Sequence, residues 1–161
     1  MIDDVRDIIE KGIHSLYDVL PEIRELASSD NWEKREDAAT ALVEISKKRE
    51  GEVIKEMTIW AVDEDPNIRR AASEGLRGVV RRNPGKILPV IEKLKTDDSL
   101  YVKKSVAALL RAISKRNPEF VLDLCRKWAM LKNKNTNWII KQGIKKLSEK
   151  QQEELKSLIG E

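Results

Sequence analysis

The feature that most constrains the fold of this chain is a 34-residue repeat that needs no gaps over three copies. Apolar residues recur at this interval in several columns, two of which are Leu42, Leu76 and Leu110, and Val53, Ile87 and Val121. The two columns lie in separate segments of each repeat, and both segments have helical apolar spacing. A period of this length with two helical patterns indicates stacked helical hairpins.

Polar residues and glycines divide the repeats into their helices. Three repeats begin with an Asp, Asn or Ser whose side chain can accept from the free N–H groups of a first helical turn, within Asp30-Asn31-Trp32, Glu64-Asp65-Pro66-Asn67 and Asp97-Asp98-Ser99. The turns inside the hairpins are predicted at Gly51, Gly85 and the Asn-Pro pairs 83–84 and 117–118. The spacer Met130–Thr136 predicts a slip of four residues in register before the last repeat.

The whole pattern predicts an all-α protein, an α-solenoid of about five HEAT-like helical hairpins that forms a curved superhelix. We expect a single domain over residues 1–161 whose first helix lies near Ile2–Lys11. The repeats are expected at about 1–29, 30–63, 64–97, 98–133 and 134–161.

Composition excludes several classes of protein. The single cysteine excludes an internal disulfide framework, and no Cys/His cluster has the spacing of a zinc site. Cys125 is in register with Met57 and Ile91, so we expect it in the core. No signal-peptide pattern or membrane-length apolar run is present. The sequence therefore predicts a cytoplasmic protein with no cofactor, no metal and no membrane partner.

Charge is distributed unevenly along the chain. Residues 1–65 contain 9 basic and 18 acidic residues, whereas residues 66–161 contain 22 basic and 10 acidic residues. Such asymmetry indicates either an anionic partner for the later part of the chain or simply a solvated, highly charged surface.

Basic residues recur on the polar face of the first helices in repeats three and four. The cations are Arg70, Arg77 and Arg81, followed by Lys104, Arg111 and Lys115, with Lys145 and Lys146 as an extension. Stacking of the repeats would place the two rows side by side, as a phosphate-binding stripe. The basic pairs that contain Arg81 and Lys115 also suit helix C-termini, which is a structural alternative. Arg69 and Lys103 are expected to pair with an acidic residue of a neighbouring turn.

The four tryptophans and the one histidine favour structural roles. Trp60 and Trp128 share a core column with Leu94, which favours packing over base stacking. Trp32 and Trp138 open first helices and are expected to be partly buried, with a stacking role left open. His14 has no identifiable nucleophile partner, so the sequence does not support a catalytic dyad.

Several segments carry a resemblance to a known family. They are IRRAASEGLR (68–77), ILPVIEKLKTDDSLYVKKSVA (87–107), ISKRNPEFVLDL (113–124) and TNWIIKQGIKKL (136–147). Together they resemble the HEAT-like-repeat DNA alkylation repair glycosylases of the AlkC/AlkD type, and the AlkC branch most. The resemblance implies a basic groove that holds damaged DNA, and acidic side chains that assist release of N-alkylated purines. It covers about residues 60–147.

The resemblance carries over only in part to the active-site positions. Glu74, in the SEG motif, matches a family carboxylate and is the candidate catalytic residue. The family tryptophan eight residues later is Arg82 here, and a family aspartate is replaced by Ala112. An earlier family carboxylate would fall near Asn31, where Asp30 is a poor substitute. Loss of a carboxylate that faces a developing cation typically costs orders of magnitude in rate.

Three functions stay open on this basis. The first is non-sequence-specific binding of duplex DNA, alkylated or not, through Arg70, Arg77, Arg81, Lys104, Arg111, Lys115 and Lys146. The second is a scaffold for a protein partner, with no DNA role. The third is an active alkylpurine DNA glycosylase that uses Glu74. The missing aspartate favours DNA binding without catalysis and leaves enzymatic activity open.

Overall fold

The fold is built of helices throughout the described residues. A computed structural model describes residues 5–160, and no strand occurs among them. The chain divides into two compact units, Met1–Val90 and Ile91–Glu161. The helical-repeat architecture expected from the 34-residue period is confirmed.

The first unit is organised around one long helix. Its elements are α1 (Val5–His14), α2 (Leu20–Ala27), α3 (Trp32–Trp60), α4 (Pro66–Glu74) and α5 (Val79–Arg82), with 3-10 turns at Leu16–Asp18 and Pro84–Ile87. α3 packs against α1, α2 and α4. The repeat columns supply the core, in which Leu42, Leu76 and Met57 are fully buried. The expected first helix therefore exists, although its residues Ile2–Asp4 lie outside the described part.

α3 contains a kink where the sequence predicts a turn at Gly51. The backbone of Arg49 is non-helical, with φ −126° and ψ 43°, and it separates two helical segments, the second of which contains Gly51. Arg49 donates from Nε to the carbonyl of Ile13 at 2.7 Å and from Nη2 to that of His14 at 2.9 Å, at the C-terminus of α1. The two later repeats have Asn-Pro at the corresponding turn, where proline lacks the N–H that a helix needs. This segment has no proline, and its two helical segments meet at Arg49, two residues before the predicted turn.

The second unit contains the later helices. α6 spans Leu88–Leu94, and its part from Ile91 onward belongs to this unit. The helices that follow are α7 (Leu100–Ser114), α8 (Pro118–Ala129), α9 (Lys134–Gly143) and α10 (Glu149–Leu158). α7 packs against α8 and α9, and α8 packs against α9 and α10. Trp128 and Cys125 are buried in this core, as Trp60 is in the first unit, so the packing role predicted for these residues is confirmed. Burial raises the pKa of Cys125 to about 12, as expected of an inert core thiol.

The N-cap positions show that the repeat register continues into α9. The caps of α3, α4, α7 and α9 are Asn31, Asp65, Ser99 and Asn133, each 34 residues after the last. Asn133 Oδ1 accepts hydrogen bonds from the backbone N–H groups of Asn135 and Thr136 at 2.9 and 3.0 Å. The predicted slip of four residues is therefore wrong. Ser99 makes no side-chain cap hydrogen bond, although Asn31 and Asp65 do, as predicted.

Close packing of glycine sets the spacing between α7 and α9. A Cβ atom on Gly143 would lie 2.7 Å from Leu110 Cδ1 and 3.0 Å from Leu110 Cβ. Leu110 is fully buried on α7. The missing side chain of Gly143 thus lets α9 approach α7 and brings the polar faces of the two helices together.

Two further observations concern the described residues. None of the helices within residues 5–160 is long and apolar enough to cross a membrane. The same part of the chain has no group of three or more His, Cys, Asp or Glu side chains arranged to hold a metal ion.

Candidate nucleic-acid interface

An open pocket of about 590 Å³ lies between α7 and α9 in the second unit. Its described lining residues are Lys104, Ala107, Arg111, Trp138, Gln142, Lys145 and Lys146. We call it the α7–α9 pocket. Four of these seven residues are cations and none is acidic, so the pocket carries a concentrated positive potential.

Helical periodicity explains how these side chains converge. Lys104 and Arg111 lie two turns apart on one face of α7, and Trp138 and Lys145 have the same separation 34 residues later. Equivalent positions of adjacent repeats therefore face a common pocket. The sequence interpretation named Lys104, Arg111, Lys145 and Lys146 as phosphate contacts and left a stacking role open for Trp138, but it missed Gln142.

The lysines of the pocket are free to bind an anion. Lys104, Lys145 and Lys146 are exposed, and none of them forms an ion pair within the described part of the chain. Lys104 Nζ lies 5.8 Å from the centroid of the Tyr101 ring. Arg111 is different, because it is half-buried and its Nη1 donates to the backbone carbonyl of Gln142 at 2.9 Å. Arg111 therefore fixes the end of α9 as well as contributing charge.

Trp138 is held at the pocket by Lys103. The ammonium of Lys103 lies 5.5 Å from the centroid of the indole ring and donates to Asn135 Oδ1 at 3.1 Å. The indole is partly buried, as predicted. The expectation that Lys103 pairs with an acidic residue is wrong, because its partners among the described residues are an amide and a ring. Trp32, expected to be partly buried, is 66% exposed instead.

The basic row of the first unit, Arg70, Arg77 and Arg81, differs from the α7–α9 pocket because carboxylates neutralise two of its three cations. Arg70 pairs with Glu74 at 3.5 Å, and Arg77 pairs with Glu36 at 2.9 Å. Arg81 is exposed and has no ion pair with any described residue. Lys115, in the second unit, is likewise exposed and unpaired but does not line the α7–α9 pocket. The expected side-by-side placement of the two basic rows stays a prediction.

Glu74 lies in a narrow crevice of the first unit. The crevice has a volume of about 10 Å³ and is also lined by Arg35, Glu36, Asn67 and Arg70. Such a volume holds about one water molecule. Arg35 Nε is buried there without a hydrogen-bond partner among the described residues, and it could donate to that water. The Glu74 side chain is 17% exposed, beside Arg70.

Other positions singled out from the sequence serve the fold. Arg82, at the family tryptophan position, donates from Nη2 to the carbonyl and hydroxyl of Ser46 at 3.2 and 3.1 Å and from Nε to Glu50 at 3.0 Å. Arg69 donates to the backbone carbonyls of Asp63 and Glu64, at 2.9 and 3.1 Å. These hydrogen bonds close the loop before α4, and the expected pairing of Arg69 with an acidic side chain stays a prediction.

Position 112 carries no acidic group to replace the family aspartate. Ala112 is exposed on α7, so a methyl group faces solvent where the resemblance implies a carboxylate.

Known proteins share both the sequence pattern and the fold. The family described as "DNA alkylation repair enzyme" matches residues 5–147. The crystal structure of AlkD2 from Streptococcus mutans is similar at 33% identity and a TM-score of 0.70, over 80% of this chain and 65% of that one. No curated protein matches the chain in sequence.

A second similar structure was solved with DNA bound. The Pseudomonas fluorescens alkylpurine DNA glycosylase AlkC, bound to DNA with an abasic-site analogue, is 28% identical with a TM-score of 0.61. The match covers 83% of this chain and 43% of AlkC, so this chain spans less than two thirds of either relative. The family match over residues 5–147, together with the shared helical fold, shows that the chain belongs to the DNA alkylation repair enzyme family.

Proposed function

We propose that this protein binds DNA without sequence specificity and that the α7–α9 pocket supplies the main phosphate contacts. The observation that carries the proposal is the convergence of four cations with no acidic residue among the described lining. Membership of a DNA repair family supports it, as does the DNA held by the similar AlkC. Arg81 and Lys115 are proposed as flanking contacts, because both are exposed and neither has an ion pair with any described residue.

The chemistry of the pocket suits phosphate rather than a small neutral ligand. Each phosphate that a lysine neutralises releases condensed counterions, so binding weakens steeply as salt rises. Lys104, Lys145 and Lys146 have no carboxylate to displace among the residues that the structure describes, so their charge is available to the ligand. Arg70 and Arg77 would first have to leave Glu74 and Glu36. We therefore assign these two arginines a smaller share of the binding.

The decisive experiment compares two triple-alanine variants. In the pocket variant Lys104, Lys145 and Lys146 become alanine, and in the control variant the exposed lysines Lys48, Lys134 and Lys150, outside the pocket, do so. Duplex DNA binding is measured by anisotropy over a salt titration. We expect the pocket variant to lose at least 10-fold in affinity at low salt and to show a shallower salt dependence. Equal losses in the two variants, or no duplex binding by the unmodified protein, would refute the proposal.

Base excision is not part of the proposal. Glu74 is beside Arg70 in a crevice the size of about one water molecule, and Ala112 has no acidic group. A developing oxocarbenium ion needs a carboxylate facing it, and neither position offers a free one in this arrangement.

A further inference from the structure

We propose that the α7–α9 pocket takes an unpaired nucleotide of DNA, with its base stacked on Trp138 and its phosphates held by Lys104, Lys145 and Lys146. This inference rests on the proposed DNA binding and adds the kind of DNA that is preferred. The preferred substrates are then single strands, gaps and bulges rather than a continuous duplex.

The volume of the pocket is the first observation that supports this inference. A row of lysines on a flat helix face suffices to follow a duplex backbone. This site is instead an open pocket of about 590 Å³ between two helices, similar in volume to the pockets of roughly 300–1,000 Å³ that take small organic ligands. A single nucleotide fits such a space, whereas a base pair within a continuous helix cannot enter it.

Trp138 is the second observation. Its ring lines the pocket and is kept in place by the Lys103 ammonium, which Asn135 in turn holds. Every base of a continuous duplex is already stacked between its neighbours, so an aromatic ring in this position gains nothing from it. An unpaired base offers a free face, and stacking on an aromatic side chain is worth about 1–3 kcal/mol per base.

The charge of the pocket defines the base that it accepts. Four cations line the site and Lys103 lies on the indole, so a positively charged N-alkylated base would be repelled. A neutral base with its anionic phosphates satisfies both the ring and the lysines. The pocket therefore suits an ordinary unpaired nucleotide and not a cationic lesion.

The test uses intrinsic fluorescence and three DNA probes. Trp60 and Trp128 are buried, so a Trp32→Phe background leaves Trp138 as the accessible reporter. The probes are a 12-nucleotide oligothymidine, a 12-base-pair duplex and a longer duplex with a one-nucleotide gap. We expect oligothymidine to quench the fluorescence, and oligothymidine and the gapped duplex to bind more tightly than the continuous duplex.

Substitution of Trp138 separates stacking from charge. We expect Trp138→Leu to weaken binding of the unpaired probes by about 5- to 150-fold, the equivalent of about 1–3 kcal/mol. Duplex affinity and its salt slope should change less than twofold. Trp138→Phe should keep most of the affinity while losing the quenching signal, which guards against a folding defect in the leucine variant. Trp32→Leu is the matched control.

Two results would overturn the inference. If Trp138→Leu lowers duplex and single-strand affinity equally, or lowers neither, the nucleotide pocket is wrong. Duplex binding could then still depend on the three lysines, and the proposed function would stand alone. If none of the probes binds at low salt, both proposals fall.

Discussion

The indole Nε1 of Trp128 donates a hydrogen bond to Glu92 Oε1 at 2.9 Å and so joins α8 to α6 within the second unit. Lys95 pairs with the other oxygen of the same carboxylate. Burial raises the pKa of Glu92, but the hydrogen bonds from Lys95 and Trp128 outweigh this effect and hold the pKa below its ordinary value of 4.5. The ionised form of Glu92 therefore stabilises the folded state.

This arrangement predicts acid-sensitive stability at Glu92. A carboxyl group with a lowered folded-state pKa stabilises the protein above its unfolded pKa, and the contribution is lost as the pH falls through the folded value. We expect Glu92→Gln to cost about 1 kcal/mol at pH 7, because the carboxylate is partly exposed and solvent screens the interaction. The cost should shrink below pH 4. Urea denaturation at pH 7 and pH 3.5 measures this, with the exposed Glu153→Gln as control. A cost independent of pH would contradict the assignment.

The close approach at Gly143 predicts a steric effect of added volume. A methyl group there would meet Leu110 at 2.7 Å, and such overpacking typically costs about 1–3 kcal/mol. We expect Gly143→Ala to lower the melting temperature and to weaken DNA binding, because α9 would be pushed away from α7. Gly51→Ala is the control: a Cβ atom at Gly51 meets nothing within 4 Å in α3. There the gain in helix propensity, about 1 kcal/mol, should raise the melting temperature.

Arg82 is predicted to be a stability residue near the kink of α3. Its guanidinium satisfies both the carbonyl and the hydroxyl of the buried Ser46 and also pairs with Glu50. We expect Arg82→Ala to cost about 1–3 kcal/mol, because buried acceptors lose their donor. Lys86→Ala removes a more exposed partner of the same Glu50 and should cost less than about 1 kcal/mol. Chemical denaturation of the two variants compares them, and equal costs would show that Ser46 does not depend on Arg82.

Glu74 is predicted to have no role in base release. We expect the protein in molar excess over methylated DNA to release no methylated base, and Glu74→Gln to change DNA affinity less than twofold. Chromatography of free bases and a binding titration measure the two quantities. An active alkylpurine glycosylase serves as positive control for the substrate. Release that depends on Glu74 would establish the enzymatic alternative and contradict our assignment.

The sequence by itself determined the helices and their repeat. Leu42, Leu76 and Leu110 recur at the helical-repeat interval and are buried, and Asn31 and Asp65 cap their helices as predicted. Within each repeat, the helical apolar spacing and the capping hydrogen bonds depend on residues that are close together in the chain. The basic composition of α7 was equally visible. Residues that share a helix face are fixed by local periodicity alone, so Lys104 and Arg111 could be placed together from their spacing.

Only the tertiary structure decided which charges are free and where they meet. Arg77 pairs with Glu36, 41 residues away, while Lys145 and Lys146 have no carboxylate partner within residues 5–160, and neither outcome follows from local spacing. The α7–α9 pocket depends on Gly143 meeting Leu110 and on the continued register that brings Trp138 opposite Lys104. Contacts between residues about 30 to 40 positions apart depend on how side chains pack between helices, and a one-dimensional pattern does not contain that information.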